Sequence, residues 1–202
     1  MLAVAILAAG ESRRMGTPKA LLDYHGKTFV DHLAAVTQHP RVGLLRVVLG
    51  ARAEEIRALI HVPADSIVVN QDWPRGQLSS IQAAIRSLAS EASDGLMLCP
   101  VDHPIVTREV VAQLIEAFYA GDKQIVLPTY GGRRGHPVIF RASLYAELLA
   151  ASADLGARQV VWAHANETLE VPVTEEGVVL NLDDPAAYQK AIQGKREERE
   201  LD

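Results

Sequence analysis

The chain alternates short apolar runs with amphipathic segments up to about residue 127. Brief apolar runs, typical of buried strands, occur at 2–8, 45–49, 66–69, 96–99 and 124–127. Helices are predicted between them, at 28–38, 53–60, 77–90 and 107–120. In the third of these, one face carries Leu78, Ile81, Ile85 and Leu88. Because strands that alternate with helices form parallel sheets covered on both faces, we predict a three-layer α/β fold with a mostly parallel, Rossmann-like sheet.

The pattern changes after this region. Residues 128–140 are predicted to form two extended pieces joined by the turn GGRRG. A helical stretch at 156–166 and a strand at 169–173 follow. A last helix begins near Pro185, and the preceding Asp184 is its natural N-cap. We expect one domain over 1–193, followed by a disordered tail at 194–202, where seven of nine residues are charged.

Composition excludes several classes of function. The formal charge of −5 provides no basic field for nucleic acid, so we expect no nucleic-acid partner. The single cysteine, Cys99, excludes an internal disulfide and a cysteine-rich metal site. No apolar stretch approaches the length of a membrane span, and the apolar N-terminus lacks the basic residues that precede a signal sequence. We therefore expect a cytoplasmic protein without a membrane partner.

The segment LAAGESRRMGTPK, from Leu7 to Lys19, directly follows the first predicted strand. Its glycines allow backbone N–H groups to approach phosphate oxygens, and its arginines and lysine can neutralise a triphosphate. A surface loop with solvated charges is the alternative. A Walker loop is excluded, because Leu21 stands where the HGKT stretch would need a glycine. The dinucleotide fingerprint G-x-G-x-x-G is absent as well.

This segment resembles the opening LAAGxSxRMGxxK of the MobA-like NTP transferases, especially their molybdenum cofactor cytidylyltransferase branch. The resemblance implies that the triphosphate lies against the backbone of Leu7, Ala8, Ala9 and Gly10. It implies that Arg14 and Lys19 also bind the triphosphate and act in catalysis. The branch that uses GTP has two glycines where this chain has Ala9 and Gly10, so the resemblance favours CTP.

Two acidic segments are candidates for a metal site. Asp102, in CPVDHP, follows a predicted strand, where a carboxylate can bind a hard cation such as Mg²⁺ or simply cap a turn. In NLDDP, Asp184 is assigned to the helix cap and Asp183 is the remaining carboxylate. The resemblance implies that Asp102 binds Mg²⁺ in a catalytic role and that Asp183 completes the site. Asn181 could coordinate instead through its carbonyl oxygen.

Two further segments match the family's motifs. NQDWPRGQLSSIQAA resembles N-x-x-W-x-x-G-x-x-x-S-I, which implies that Asn70, Gly76 and Ser79 bind the nucleotide; the alternative is an ordinary entry into a helix, with Trp73 in the core. GGRRGHPVIF resembles R-G-H-P-V-x-F, which implies that Arg134 and His136 face the acceptor; the alternative is a glycine-rich hairpin. The family's G-A-R motif reappears at Gly156, Ala157 and Arg158.

The resemblance implies a Mg²⁺-dependent nucleotidyltransferase that moves CMP from CTP to molybdopterin and releases pyrophosphate. An acceptor phosphate oxygen would attack the α-phosphorus in line, and no covalent enzyme intermediate is required. A sugar phosphate or polyol phosphate acceptor is one alternative. A non-catalytic nucleotide-binding module that delivers a cofactor to a target enzyme is another. A molybdoenzyme that receives the molybdenum cofactor is a candidate protein partner.

Overall fold

A computed structural model describes residues 1–89 and 91–200, with the backbone alone described for residues 193–200. The strands within these residues are β1 (Leu2–Ala8), β2 (Asp23–Tyr24), β3 (Lys27–Thr28), β4 (Val42–Leu49), β5 (Ile67–Val69), β6 (Gly95–Pro100), β7 (Ile125–Tyr130), β8 (Arg133–Arg134), β9 (Val138–Arg141) and β10 (Thr168–Pro172). The seven α-helices are α1 (Phe29–Val36), α2 (Ala53–Leu59), α3 (Gln77–Arg86), α4 (Arg108–Ala120), α5 (Tyr145–Ala150), α6 (Arg158–Ala163) and α7 (Pro185–Glu200).

One eight-stranded sheet forms the centre of the molecule, in the order β10-β7-β9-β6-β1-β4-β5, with β8 paired to β7. The strands β1, β4, β5 and β6 pair in parallel, as do β7 and β10. β9, between β6 and β7, and the short β8 run antiparallel to their neighbours. The prediction of a mostly parallel sheet is therefore confirmed.

Helices cover both faces of the sheet, as predicted. Strand β1 is buried on both faces, and its residues alternate between two apolar clusters. One cluster packs the sheet against α1, α2, α4 and the start of α7, with Phe29 and Phe118 among its fully buried side chains. The other packs it against α3, α5 and α6. No helix in the described part of the chain has the length and apolar character that crossing a membrane would require.

The predicted strands and helices up to residue 127 are all present, with ends shifted by up to four residues. The helix predicted at 77–90 ends at Arg86, and Ser90 lies outside the described residues. Thr107 caps α4 as expected, since its hydroxyl accepts the Val110 N–H at 3.3 Å. The short helix α5 and the small β2–β3 hairpin were not predicted.

The segment 128–140 differs in detail from the expectation. Its hairpin is formed by the end of β7 and by β8, which are joined through Gly131 and Gly132, both with positive φ. The second extended piece, β9, does not pair with β8. It leaves the hairpin and enters the sheet between β6 and β7, because Val138, Ile139 and Phe140 are buried there.

The C-terminal helix starts as predicted. Pro185 is its first residue, and the Asp184 carboxylate accepts the Ala187 N–H at 2.9 Å. The backbone is helical up to Glu200, within the segment assigned to a tail. Disorder at 194–202 stays a prediction, because the side chains from position 193 and both residues 201 and 202 lie outside the described part.

Replacement of the cap tests this helix start. Asp184→Ala should lower the free energy of unfolding by about 1 kcal/mol, because the Ala187 N–H loses its acceptor. Asp122→Ala removes a carboxylate from an exposed loop and is the matched control, with no expected change. Urea unfolding measures both variants. Equal stability of the two would contradict the capping role.

Candidate active site

The loop after β1 folds back on itself and places Lys19 at the carboxyl end of the sheet. Ser12 and Gly16 have left-handed backbones, with φ of 55° and 69°. The Lys19 N–H donates to the Ser12 hydroxyl at 2.9 Å and closes the loop. The Lys19 side chain is only 14% exposed, so its ammonium is held inside the site and is poorly screened by solvent.

This ammonium joins two carboxylates from distant parts of the chain. Lys19 Nζ lies 2.5 Å from Asp183 Oδ1 and 3.5 Å from Asp102 Oδ2. Arg14 Nη2 lies 3.2 Å from the other oxygen of Asp183. The structure thus brings together four residues that the sequence proposes for catalysis and metal binding, and we call them the charged cluster: Arg14, Lys19, Asp102 and Asp183.

Backbone hydrogen bonds tie the segments of the charged cluster together. The Val101 N–H, just past β6, donates to the Leu7 carbonyl at 3.1 Å. The Asp102 carbonyl accepts the Leu182 N–H at 2.8 Å. Because β1 and β6 are adjacent parallel strands, their carboxyl ends meet at one edge of the sheet, where ligands of open α/β sheets bind.

The charged cluster holds Asp183 in its ionised form. Burial by itself raises the pKa of this carboxyl. The hydrogen bond and charge of Lys19, together with Arg14, outweigh burial, so the pKa of Asp183 lies below its usual value. A groove of about 290 Å³ opens onto the cluster and is lined by Gly10, Glu11, Ser12, Arg13, Arg14, Lys19 and Asp183.

A cavity of about 190 Å³ lies beside the charged cluster, and we call it the nucleotide cavity after the role predicted for its residues. Among the residues that line it are the predicted Leu7, Ala8, Ala9, Gly10, Lys19, Gly76 and Asp102. Trp73 forms one side and leaves no room for a side chain at Gly50. A Cβ at Gly50 would lie 2.6 Å from the Trp73 Cβ and 2.7 Å from the Ala9 carbonyl oxygen.

Asn70 and Ser79 do not line the nucleotide cavity. Asn70 is buried, and its side-chain amide donates to the hydroxyls of Ser79 at 2.9 Å and Ser80 at 3.1 Å. Its carbonyl oxygen accepts the Asp72 N–H at 3.0 Å. The amide therefore fixes the turn before α3, which positions Gly76 and Ser80 in the cavity wall. Asn70 and Ser79 thus support the wall of the nucleotide cavity without lining it.

A second cavity of about 500 Å³ adjoins the first, and we call it the acceptor cavity after the role predicted for His136. Leu7, Gln77, Pro100 and Asp102 line both. Its floor includes the apolar Leu98, Val138 and Phe140, and Gly156, Ala157 and Arg158 lie on its rim. A wider groove of about 750 Å³, against α1 and the start of β4, contains none of the predicted residues, so size alone does not mark the site.

Two partly buried histidines, His103 and His136, lie side by side in the acceptor cavity. The rings of His103 and His136 have their centroids 4.6 Å apart. Burial lowers the pKa of His136 to about 4, and burial also lowers the pKa of His103 despite the nearby Asp102 and Asp183. Both rings are therefore neutral at pH 7 and can donate or accept hydrogen bonds. The His103 Nδ1 atom is buried without a hydrogen-bond partner among the described residues.

Arg134 does not reach either cavity. It lies on the edge strand β8, half exposed, where its guanidinium pairs with Glu170 of β10 at 2.7 Å. His136, two residues later, does face the acceptor cavity. Between them, the backbone at Gly135 passes close to Val178, where a Cβ would lie 2.5 Å from the Val178 carbonyl oxygen. The structure thus separates the two residues proposed to bind the acceptor.

A family model described as the MobA-like NTP transferase domain matches residues 4–168 of this chain. The chain belongs to the MobA-like NTP transferase family. The family resemblance predicted from the sequence is confirmed, and so is the assignment of the chain as a nucleotidyltransferase.

Among curated proteins, this MobA-like transferase is 33% identical over 162 residues to the nicotine blue oxidoreductase of Paenarthrobacter nicotinovorans, covering 76% of this chain and 78% of that protein. It is 30% identical over 190 residues to the molybdenum cofactor guanylyltransferase of Cereibacter sphaeroides, covering 92% and 93%. These names do not confirm the predicted preference for CTP, since the second denotes a guanylyl transfer.

Solved structures share the fold. Rv0371c from Mycobacterium tuberculosis superposes with a TM-score of 0.79 at 27% identity, over 95% of this chain and 97% of that one. A manganese complex of the same protein superposes with a TM-score of 0.74 at 24% identity, over 95% and 98%. The neighbours include nucleotidyltransferases, in agreement with a fold of the nucleotide-diphospho-sugar transferase type.

The donor set of the MobA-like site fits a hard divalent cation only in part. Asp102 and Asp183 supply carboxylate oxygens, which Mg²⁺ and Mn²⁺ prefer. Within the described residues, no three His, Cys, Asp or Glu side chains are grouped to hold a metal ion by themselves. Mg²⁺ characteristically binds to one or two carboxylates together with substrate phosphates. Asn181, the other candidate, is exposed and lines the acceptor cavity.

Several residues in the walls of the two cavities were not among the predicted site residues. Ser12 and Ser80 line the nucleotide cavity, Gln77 and Pro100 line both cavities, and His103 lines the acceptor cavity. All five lie within the motifs that the sequence singles out. In the sequence, the signal for a role in the site was their position in the same motifs as Gly76 and Asp102 or in the loop after β1. Which of them point inward depends on turns that the sequence does not specify.

Removal of the buried amide tests the supporting role of Asn70. Asn70→Ala leaves the Asp72 N–H and two hydroxyls without their partner, so we expect a loss of roughly 1–3 kcal/mol in unfolding free energy. KM for the NTP should rise as the turn loosens. Asn166→Ala, at an exposed position, is the control. Calorimetry and initial rates measure both effects, and a variant of unchanged stability with weakened NTP use would instead indicate direct contact with the nucleotide.

Proposed function

We propose that this chain catalyses the Mg²⁺-dependent transfer of CMP from CTP to molybdopterin, with release of pyrophosphate. The observation that supports this most is the charged cluster, in which Lys19 lines the nucleotide cavity and Asp102 lines both cavities. One lysine there contacts two carboxylates, and the backbone of Leu7–Gly10 forms the adjoining wall. Phosphate-binding cations and metal-binding carboxylates thus occupy one place, as phosphoryl transfer requires.

The residues of the chain have separable tasks in this reaction. The backbone around Gly10 and the side chains of Arg14 and Lys19 bind the triphosphate and stabilise charge on the departing pyrophosphate. Asp102 and Asp183 would hold the Mg²⁺, which when bound neutralises phosphate charge. Asp102 borders both cavities, so donor and acceptor are oriented on either side of it.

The acceptor cavity suits a large, partly polar molecule. Its apolar floor can pack against a ring system. The neutral His103 and His136 and the amide of Gln77 offer hydrogen bonds along one side, and Arg158 offers a charge on the rim. Molybdopterin combines a heterocycle with a phosphate, which matches this distribution. We assign acceptor binding to His136 but not to Arg134, whose guanidinium is engaged by Glu170.

The choice of CTP rests on Ala9. This residue is buried and lines the nucleotide cavity, and its carbonyl accepts the Ala51 N–H at 3.0 Å. Trp73 lines the same cavity, whose volume is about 190 Å³, so the methyl group of Ala9 narrows a space that is already small. A pyrimidine needs less room than a purine. GTP is the second candidate, because a relative 30% identical over most of its length is named a guanylyltransferase.

A panel of nucleotides tests the proposal. Pyrophosphate release should be measured with CTP, GTP, ATP and UTP, each with molybdopterin and with sugar phosphates, in the presence of Mg²⁺. We expect release only with molybdopterin and a preference for CTP over GTP of about 10²-fold in kcat/KM. Release with a sugar phosphate alone would contradict the acceptor. Absence of release with every pair would contradict nucleotidyl transfer, as expected of a cofactor-delivery module or of an oxidoreductase like the named relative.

Two variants test the role of Asp102 and the preference for CTP separately. Asp102→Asn should reduce release by at least about 10²-fold for all nucleotides, since it removes a charge that acts in the transition state. Ala9→Gly should relax the preference for CTP without a general loss of rate. A parent enzyme that prefers GTP would overturn the CTP assignment and leave nucleotidyl transfer in place.

A further inference from the structure

The charged cluster is neutral as it stands. Two carboxylates, Asp102 and Asp183, face two cations, Lys19 and Arg14, and every contact is an ion pair. The cations are not equivalent. The Arg14 side chain is 68% exposed and reaches Asp183 from the solvent side. The Lys19 side chain is 14% exposed and lies between both carboxylates, so its charge is screened much less.

The contacts leave little free capacity for a metal ion at this site. Both oxygens of Asp183 are engaged, Oδ1 by Lys19 and Oδ2 by Arg14. The Asp102 Oδ2 atom faces the same ammonium at 3.5 Å. A divalent cation that approached these oxygens would meet the like charge of Lys19 at a few ångströms, in a place where solvent screens it poorly.

We propose that Lys19 stands in for the divalent cation until an NTP arrives, so that the metal ion and the nucleotide enter the site together. This inference rests on the proposed function, because it assigns the metal to Asp102 and Asp183. It adds a second role for Lys19, which excludes free metal ions from the site when no nucleotide is present.

The incoming triphosphate offers Lys19 and Arg14 phosphate oxygens in place of the carboxylates. It carries several negative charges into the groove beside Gly10, within reach of both cations of the charged cluster. A lysine ammonium is a compact charge on a flexible stem and can turn from a carboxylate to a phosphate oxygen. The carboxylates then lose their counter-charge, and the phosphates supply the oxygen ligands that two carboxylates alone do not provide.

Binding of Mn²⁺ to the full-length protein without nucleotide tests the proposal, because it does not depend on turnover. Electron paramagnetic resonance measures free Mn²⁺ directly. We expect weak binding by the wild type and at least about tenfold tighter binding by Lys19→Met, which removes the competing charge from a charge-assisted contact. Lys19→Arg keeps the charge and should stay near the wild type. Lys27→Met removes an exposed lysine of β3 and is the control for net charge.

Proton relaxation enhancement with an α,β-methylene analogue of CTP or GTP completes the test, because it detects Mn²⁺–nucleotide held on the protein. The wild type should bind Mn²⁺ together with the analogue. Tight Mn²⁺ binding by nucleotide-free wild type, or no gain in folded Lys19→Met, would overturn the stand-in role alone. Absence of Mn²⁺ from the protein even with the analogues would contradict the proposed metal site and with it the proposed function.

Discussion

Charge balance at the carboxyl edge of the sheet is the constraint on which the site depends. Asp102 and Asp183 converge there, and two neighbouring carboxylates repel each other unless a cation lies between them. Lys19 provides that cation inside the protein, where its charge is poorly screened. The same ammonium is chemically suited to a phosphate. Lys19 can therefore pair either with the two carboxylates or with a phosphate, and in neither state is its charge left unpaired.

The fold makes this convergence possible with few hydrogen bonds. Adjacent parallel strands β1 and β6 end at the same level, so the first loop and the segment after Pro100 start side by side. The chain then returns from β10 to the Leu182 N–H, which is bonded to Asp102. The cap at Asp184 starts α7 immediately afterwards and leaves Asp183 facing the site. The capping residue Asp184 and the proposed metal ligand Asp183 are thus adjacent in sequence.

The sequence predicted the elements well because buried parallel strands and capped helices have local signatures, such as the apolar run 2–8 and Thr107. It also identified the members of the charged cluster, through the motifs they occupy. It did not predict that Lys19 pairs with the carboxylates, since that contact spans 164 positions. The inward role of Asn70 and the outward direction of Arg134 also depend on tertiary hydrogen bonds and ion pairs, with Ser79 and Glu170, that no local pattern encodes.

The central claim is that phosphate and metal ion meet at the charged cluster. A crystal structure of the protein with Mn²⁺ and an α,β-methylene NTP analogue, with the metal located by its anomalous scattering, tests this most directly. The account predicts Mn²⁺ coordinated by Asp102, Asp183 and phosphate oxygens, with the Lys19 ammonium moved onto the triphosphate. A metal ion bound away from both carboxylates, or phosphates bound outside the loop from Ala9 to Lys19, would contradict it.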